Sequence, residues 1–294
     1  MKDVSKFGVV SVTKKHSSTS LVKEAELQAQ IPQESKLGVI PQLTRKTTVN
    51  FQTKNKWRVC ITGCDILPDG KQVFVDETGK RLLMFSKNGN CEENIVRFSY
   101  IPSNVSYTGE NIVAVPIYDK REVVLINVII NTLYIGHQCW GTDFKMNRLA
   151  IRAIQNTTSY IAYLDPRGKL IDRVNIPGRN SARMSLRDDT IKCTDWRTNT
   201  FYCYTLTGQQ IWTFKDENVL RVPRGIALDK NKTVYVVGRE TQNVVVLSPD
   251  GKNCRQILAK SDGLNESISL CINIDRNELL VCNMNGPAFL FSLN

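Results

Sequence analysis

Arg224 to Asp229 reads RGIALD, Thr233 to Val237 reads TVYVV, Val244 to Ser248 reads VVVLS and Cys254 to Leu258 reads CRQIL. Four apolar or β-branched runs of five or six residues, parted by turn pairs such as Lys230-Asn231 and Asp250-Gly251, read as four short strands. The same unit returns upstream as Thr62 to Leu67, Val73 to Asp76, Leu82 to Ser86 and Ile95 to Phe98. No window sustains the i, i+3, i+4, i+7 apolar spacing of an amphipathic helix, which sets aside helix pairs.

Aligning the turns gives a period. Asp69-Gly70, Gly109-Glu110, Met146-Asn147, Asp188-Asp189, Lys230-Asn231 and Arg276-Asn277 follow one another at 40, 37, 42, 42 and 46 residues. A second series, Asn88-Gly89, Arg167-Gly168, Thr207-Gly208 and Asp250-Gly251, has glycine spacings of 79, 40 and 43, with one turn missing near residue 129. Two interleaved series sharing a period of ~40 residues define a β-repeat array, and a β-propeller above all. Six units result: 57–99, 100–136, 137–177, 178–219, 220–260 and 261–294. The last holds Ile268 to Ile274, Leu279 to Asn283 and Ala288 to Leu293, and lacks a fourth strand. An open edge in a ring is a liability. Thr47 to Thr53 (TTVNFQT) is a strand without a sheet, so it is expected to complete the sixth blade.

The remaining composition narrows the class. Of 294 residues, 41% are hydrophobic and 23% charged, too apolar for wholesale disorder. Val123 to Ile130 is too short for a membrane helix and is broken by Asn127. Met1 to Val12 has too little apolar core for a signal peptide, so the expected location is cytoplasmic. Residues 1–45 read as a mobile linker, with a polar stretch at Ser17 to Ser20 and a short charged run at Leu21 to Gln30, and residues 46–294 as the propeller. Nine cysteines lack zinc-module spacing, and there are only two histidines, so buried reduced thiols and no metal or cofactor are expected. The net charge of +11 favours acidic partners.

Val222 to Asp229, Val234 to Val236 and Val244 to Gly251 together resemble the NHL repeat, and Gly63 to Gly70 resembles the first blade of the NHL propeller in tripartite-motif (TRIM) proteins of invertebrates. Phe7 to Val12 and Lys23 to Gln30 are similar to the linker that joins their coiled coil to the propeller. The resemblance is close in blades one, five and six only. It implies an all-β, six-bladed propeller of NHL/TolB-like type, with an N-terminal strand closing the last blade. It also implies a non-catalytic recognition module that binds a protein, a substrate or adaptor in ubiquitin-ligase pathways. The alternative of the same family is an RNA-binding propeller acting after transcription. No RING or B-box ligand pattern occurs in this chain, so ligase activity itself is not expected, and self-association is expected only through a coiled coil that is absent here.

The candidate binding face collects Lys80, Arg81, Tyr118, Arg121, Trp140, Arg179, Arg183, Trp196, Arg197, Arg221, Arg224 and Arg239, with Tyr100 among them. Arginines beside aromatic planes suit protein hot spots and single-stranded RNA alike. A scattered solvated rim with aromatics packed between blades would have the same composition. Lactonase and regucalcin-like propellers also look similar in outline and hold a divalent cation with channel carboxylates. The acids at suitable positions are Asp65, Asp76, Asp143 and Asp195, of which Asp76 and Asp195 stand beside arginines. His16 lies in the linker and His137 at a strand end, which leaves Ser–His or Cys–His catalysis without support.

Overall fold

Short β-branched runs make strands, and each strand buries its face only when a neighbouring blade packs against it. In the computed structural model, residues 41–51, 59–126, 131–145, 147–155, 158–165, 168–177, 183–186 and 189–294 are described. The expected linker lies almost wholly outside them, as do Arg179 and Asp188.

Among the described residues there are six four-stranded antiparallel sheets. The chain first lays down β1 (Leu43–Val49). Blade one is β2 (Ile61–Ile66), β3 (Gln72–Asp76), β4 (Arg81–Phe85) and β5 (Cys91–Arg97). Blade two is β6 (Ser106–Gly109), β7 (Ile112–Ile117), β8 (Glu122–Ile126) and β9 (Asn131–Tyr134). Blade three is β10 (Gln138–Lys145), β11 (Arg148–Gln155), β12 (Thr158–Leu164) and β13 (Leu170–Ile176). Blade four is β14 (Met184–Ser185), β15 (Thr190–Asp195), β16 (Thr200–Thr205) and β17 (Gln210–Phe214). Blade five is β18 (Pro223–Leu228), β19 (Val234–Gly238), β20 (Asn243–Leu247) and β21 (Cys254–Leu258). Blade six is β22 (Ser267–Asn273), β23 (Glu278–Asn283) and β24 (Ala288–Leu293), completed by β1 on its outer edge.

The two turn series therefore have distinct structural meanings. The first joins the inner pair of strands in each blade, and its members turn through a left-handed residue: Gly70, Glu110, Asn147, Asp189, Lys232 and Asn277. The second joins the outer pair through Gly89, Gly168, Gly208 and Gly251, all at positive φ. The turn missing near residue 129 falls at 127–130, outside the described residues. Blade boundaries fall within the expected units, with strand ends shifted by a few residues.

One boundary needs correction. The closing strand was expected over Thr47 to Thr53 but runs Leu43–Val49, pairing antiparallel with β24 from Leu43↔Leu293 to Val49↔Ala288, with an irregularity between Arg45 and Thr47. Thr44 to Lys46 are polar and exposed in a row, as an edge strand tolerates, so hydrophobicity alone undercounted it. Gln42 and Asn294 add a reciprocal pair of backbone hydrogen bonds of 2.9 and 3.0 Å.

Packing between blades supplies the core. Val73, Val75, Leu82, Val105, Val113 and Val115 join blades one and two, while Val237, Val246, Leu270, Leu279 and Val281 join five and six. The innermost strands approach so closely that two have glycine where a side chain would collide. A Cβ on Gly63 would lie 2.8 Å from the Asn104 Cα and the Val105 N, and one on Gly225 would lie 2.7 Å from the Leu270 N. No helix among the described residues is long and apolar enough to cross a membrane.

Candidate functional site

Alternating strand direction sends the start of each inner strand and the turn between the second and third strands to the same end of the ring. All described members of the expected binding face occupy that end. They do not act alike. Arg81 is committed to Asp76 at 2.8 Å, and Arg221 to Glu240 at 2.7 Å. Arg239 pairs with Glu266 at 2.7 Å. Lys80 donates to the Ser99 carbonyl and Arg121 to that of Gly136. Tyr118 and Trp140 pack on each other with ring centres 4.4 Å apart. Exposed Tyr100 carries Lys120 over its ring. Trp196 is flanked by Arg197 and Arg224, whose guanidinium carbons lie 5.1 and 4.7 Å from its ring centre.

Arg183 and Arg224 differ from the rest because they are taken inward. Arg183, at the start of the inner strand of blade four, is buried and reaches the Ser103 carbonyl across the ring. Burial and the charge of Arg224 lower its pKa to about 10, against the opposing thiol of Cys64. Burial and the charge of Arg239 bring Arg224 likewise to about 10. Both stay cationic at neutral pH. The Nε of Arg224 is buried without a hydrogen-bond partner.

Beneath Arg183 lies an axial cavity of about 80 Å³, room for two or three waters. Inner strands of all six blades line it, and it holds Cys64, Asp65, Asp143, Arg183, Ser269 and Cys271. The Oδ1 of Asp65 accepts from its neighbour Ile66 N at 2.8 Å, and its Oδ2 from Tyr107 N of blade two at 2.7 Å. Asp143 repeats the arrangement between blades three and four, with Phe144 N and Leu186 N at 2.8 Å. The two carboxylates therefore stitch adjacent blades while facing the channel. Burial pushes the Asp65 carboxyl up to about 7, against the two backbone hydrogen bonds and with help from the charges of Cys64 and Asp143.

That shift has a sign that can be measured. An unfolded carboxyl titrates near 3.8, so between about pH 4 and 7 the unfolded chain releases a proton that the folded chain keeps. Stability should fall as pH rises through that window, by at most about 4 kcal/mol for three units, and then level off. Melting temperatures from pH 4 to 8 should show this fall in the native chain and a flattened curve in Asp65→Asn. Parallel curves would mean that Asp65 titrates as an ordinary surface acid.

Of the four acids considered for a cation, Asp65 and Asp143 share the cavity, while Asp76 and Asp195 do not line it. Asp76 pairs with Arg81 as expected; Asp195 instead accepts from the backbone N–H groups of Arg197 and Thr198. Among the described residues, no group of three or more His, Cys, Asp or Glu is placed to hold a metal ion. His137 bonds the Tyr160 hydroxyl through Nδ1 at 2.7 Å, and burial with the charges of Arg173 and Arg121 lowers its pKa. The cysteines were read as core thiols, yet Cys64 and Cys271 open on the channel. Their sequence signal was their place in corresponding inner strands, Gly63-Cys64-Asp65 of blade one and Leu270-Cys271-Ile272 of blade six.

An all-β, six-bladed propeller closed by an N-terminal strand is thus the class that fold and site define. No family model matches the chain, and no curated protein matches its sequence. Solved structures do resemble it. Virginiamycin B lyase from Staphylococcus aureus is 11% identical, with a TM-score of 0.63 over 86% of this chain and 100% of that one. A catalytically inactive variant of the same lyase, with quinupristin, is 12% identical, with a TM-score of 0.61 over 86% of this chain and 89% of that one. A structural-genomics protein of unknown function from Bacteroides thetaiotaomicron is 8% identical, with a TM-score of 0.66 over 84% of this chain and 75% of that one.

These likenesses support the propeller and do not tie it to the NHL or tripartite-motif group. They also overturn the expected function. The reading as a non-catalytic recognition module, with ubiquitin-pathway or RNA partners, gives way because the rings on which this chain superposes include catalytic lyases. The physical reason is that period and turn chemistry build the blade scaffold, which recognition and catalytic propellers share, whereas function resides in the side chains that line it.

Proposed function

We propose that this propeller is an enzyme of the lyase type, opening a cyclic ester at the Arg183 mouth of its axial channel. The observation that carries the reading is one cavity holding both a carboxyl poised near neutrality, Asp65, and a buried cation, Arg183. A general base works best when its pKa lies near the working pH. The lyase activity named for the similar Staphylococcus aureus propeller adds weight to an elimination over other chemistries.

In this reading the anionic or carbonyl end of the substrate rests against Arg183 and Arg224, and Trp196 packs on its apolar body. Asp65 takes a proton from the carbon adjacent to the one that bears the ester oxygen. The electron pair left behind becomes a carbon–carbon double bond as the ester C–O bond breaks, and the released carboxylate stays opposite Arg183. No water is consumed. The small cavity admits only the reacting limb, so most of the substrate lies at the outer face.

The test is turnover of quinupristin and a panel of cyclic esters, followed by mass spectrometry. Elimination opens the ring with no change in mass, whereas hydrolysis adds one water. Asp65→Asn should lower turnover about 10²- to 10⁴-fold, the usual worth of a positioned acid or base. Arg224→Gln should chiefly raise KM. Consumption of no cyclic ester, or full activity in Asp65→Asn, would refute the assignment.

A further inference from the structure

The inner strands of blades one and six bring two thiols and one hydroxyl together beside the channel, with a third thiol behind them. Cys64 Sγ lies 3.9 Å from Cys271 Sγ and 3.4 Å from Ser269 Oγ. Cys282, on the second strand of blade six, is buried in the same hydrophobic cluster as Cys64, with Cys271 packed against it. All nine cysteines are free thiols, so this contact is an unreacted pair. Cys64 and Cys271 are 207 residues apart in the chain and belong to the blades that the closing strand must hold together.

We propose that Cys64 and Cys271 form a redox-active pair, oxidised by a peroxide to a disulfide that joins blade one to blade six. Both line the axial cavity, whose size admits a molecule little larger than water, while the macromolecular oxidants that act on surface thiols are kept out. The positive charge of Arg183 faces the same space. Cys64 is the thiol that ionises first: burial opposes its charge, but hydrogen bonds from Cys271, Cys282 and Ser269 and the field of Arg183 outweigh it. Burial and the neighbouring Cys64 push Cys271 the other way, so the pair has one nucleophile and one resolving thiol.

The steps balance. The Cys64 thiolate attacks one peroxide oxygen, the O–O bond breaks, and the other oxygen leaves as hydroxide, which becomes water on gaining a proton. Cys64 is then a sulfenic acid. The Cys271 sulfur attacks the Cys64 sulfur, the S–O bond breaks, and the departing hydroxide leaves as water with the Cys271 proton. Two thiols and one peroxide yield one disulfide and two waters. A dithiol reverses the step by thiol–disulfide exchange. Closing the sulfurs from 3.9 Å to a bond of about 2.05 Å brings them about 2 Å closer.

The test uses the full chain in a Cys91→Ser background, since Cys91 is exposed and would form links between molecules. Hydrogen peroxide is added, remaining thiols are alkylated, and tryptic peptides are sequenced. The expected product is a cross-linked peptide two hydrogens lighter than its parts, lost on treatment with dithiothreitol. Fragmentation must place the bond on Cys64, because Cys60 falls in the same tryptic peptide. A bond closing so long a loop should raise the melting temperature by about 5 °C or more. In Cys271→Ser the cross-link should vanish and a dimedone adduct should appear on Cys64. The inference is overturned if both thiols remain fully alkylatable after peroxide, or if Cys64 couples instead to Cys60 or Cys282. These readouts do not depend on turnover, so a failure here leaves the proposed lyase reading untouched, and the reverse holds as well.

Discussion

Removing residues 1–51 should leave a chain that melts at least 10 °C lower than the native one or fails to stay soluble, whereas removing residues 1–40 should change the melting temperature little. The longer deletion takes away β1 and leaves the outer backbone edge of β24 unpaired along six residue pairs. It also removes Val49, fully buried in the cluster between blades six and one, and Phe51, whose ring packs edge-on against Phe74 and Phe85 with centres 4.9 and 5.4 Å away. Burial of two such side chains contributes about 1.5–3 kcal/mol each. Further loss comes from the strand hydrogen bonds and from Lys46, which pairs at 2.8 Å with the buried carboxylate of Glu278. Set against a typical total of about 5–15 kcal/mol, that loss is most of the fold. Circular-dichroism melts of the two truncations decide the matter. Equal midpoints would mean that the ring closes without its N-terminal strand.

Alanine at Gly225 is the second large effect expected. The new methyl carbon would stand 2.7 Å from the backbone nitrogen of Leu270 and 3.0 Å from the Cα of Ser269, and backbone cannot rotate aside as a side chain does. The inner strands of blades five and six must therefore separate, loosening the cluster formed by Ala227, Leu270 and Val281. Overpacking of this kind costs about 1–3 kcal/mol and occasionally more. A melting temperature lower by roughly 3–10 °C follows for a chain of this size. Gly63→Ala should behave alike between blades one and two, where the clash is 2.8 Å from Asn104 and Val105. By contrast Gly286→Ala, with only the Asn283 side chain at 3.5 Å and beyond, should be tolerated. If all three variants melt together, the channel wall is looser than these distances imply.

The channel links these stability arguments to chemistry. Its wall is built by strands pressed close enough to need glycine at Gly63 and Gly225, and the carboxylates that tie blades one to two and three to four are the ones that face its lumen. On the proposed lyase reading Asp65 would have two roles, and Asp65→Asn separates them. Its effect on folding should vary with pH, whereas the loss of the proposed turnover should appear at every pH where the native chain turns over a cyclic ester.

Much of the architecture was legible in the residues. The period of ~40, the six units and the need for a borrowed strand follow from turn chemistry, because a tight turn demands Gly, Asn or Asp at a left-handed position whatever surrounds it. All six inner-pair turns carry a left-handed residue, and it is Gly, Asn or Asp except at Lys232 in blade five and at Glu110, which stands between left-handed Gly109 and Asn111 in blade two. The closing strand was misplaced by four residues because an exposed edge strand carries little hydrophobic signal. The arginine-rich end was also legible, since strand alternation alone assigns loops to one end. Which arginines are spent on Asp76, Glu240 and Glu266, and which turn inward, was not.

What the sequence by itself determined is local: strand length, turn position, repeat number and the end of the ring on which each loop emerges. These depend on neighbours a few residues away. The tertiary structure alone decided that Cys64 meets Cys271 across 207 residues, that Asp65 and Asp143 share a cavity, and that Arg183 roofs it. Those groups come from four different blades, and their charges and acidities depend on burial and on one another. No stretch of chain contains that information until closure of the ring brings its inner strands around one axis.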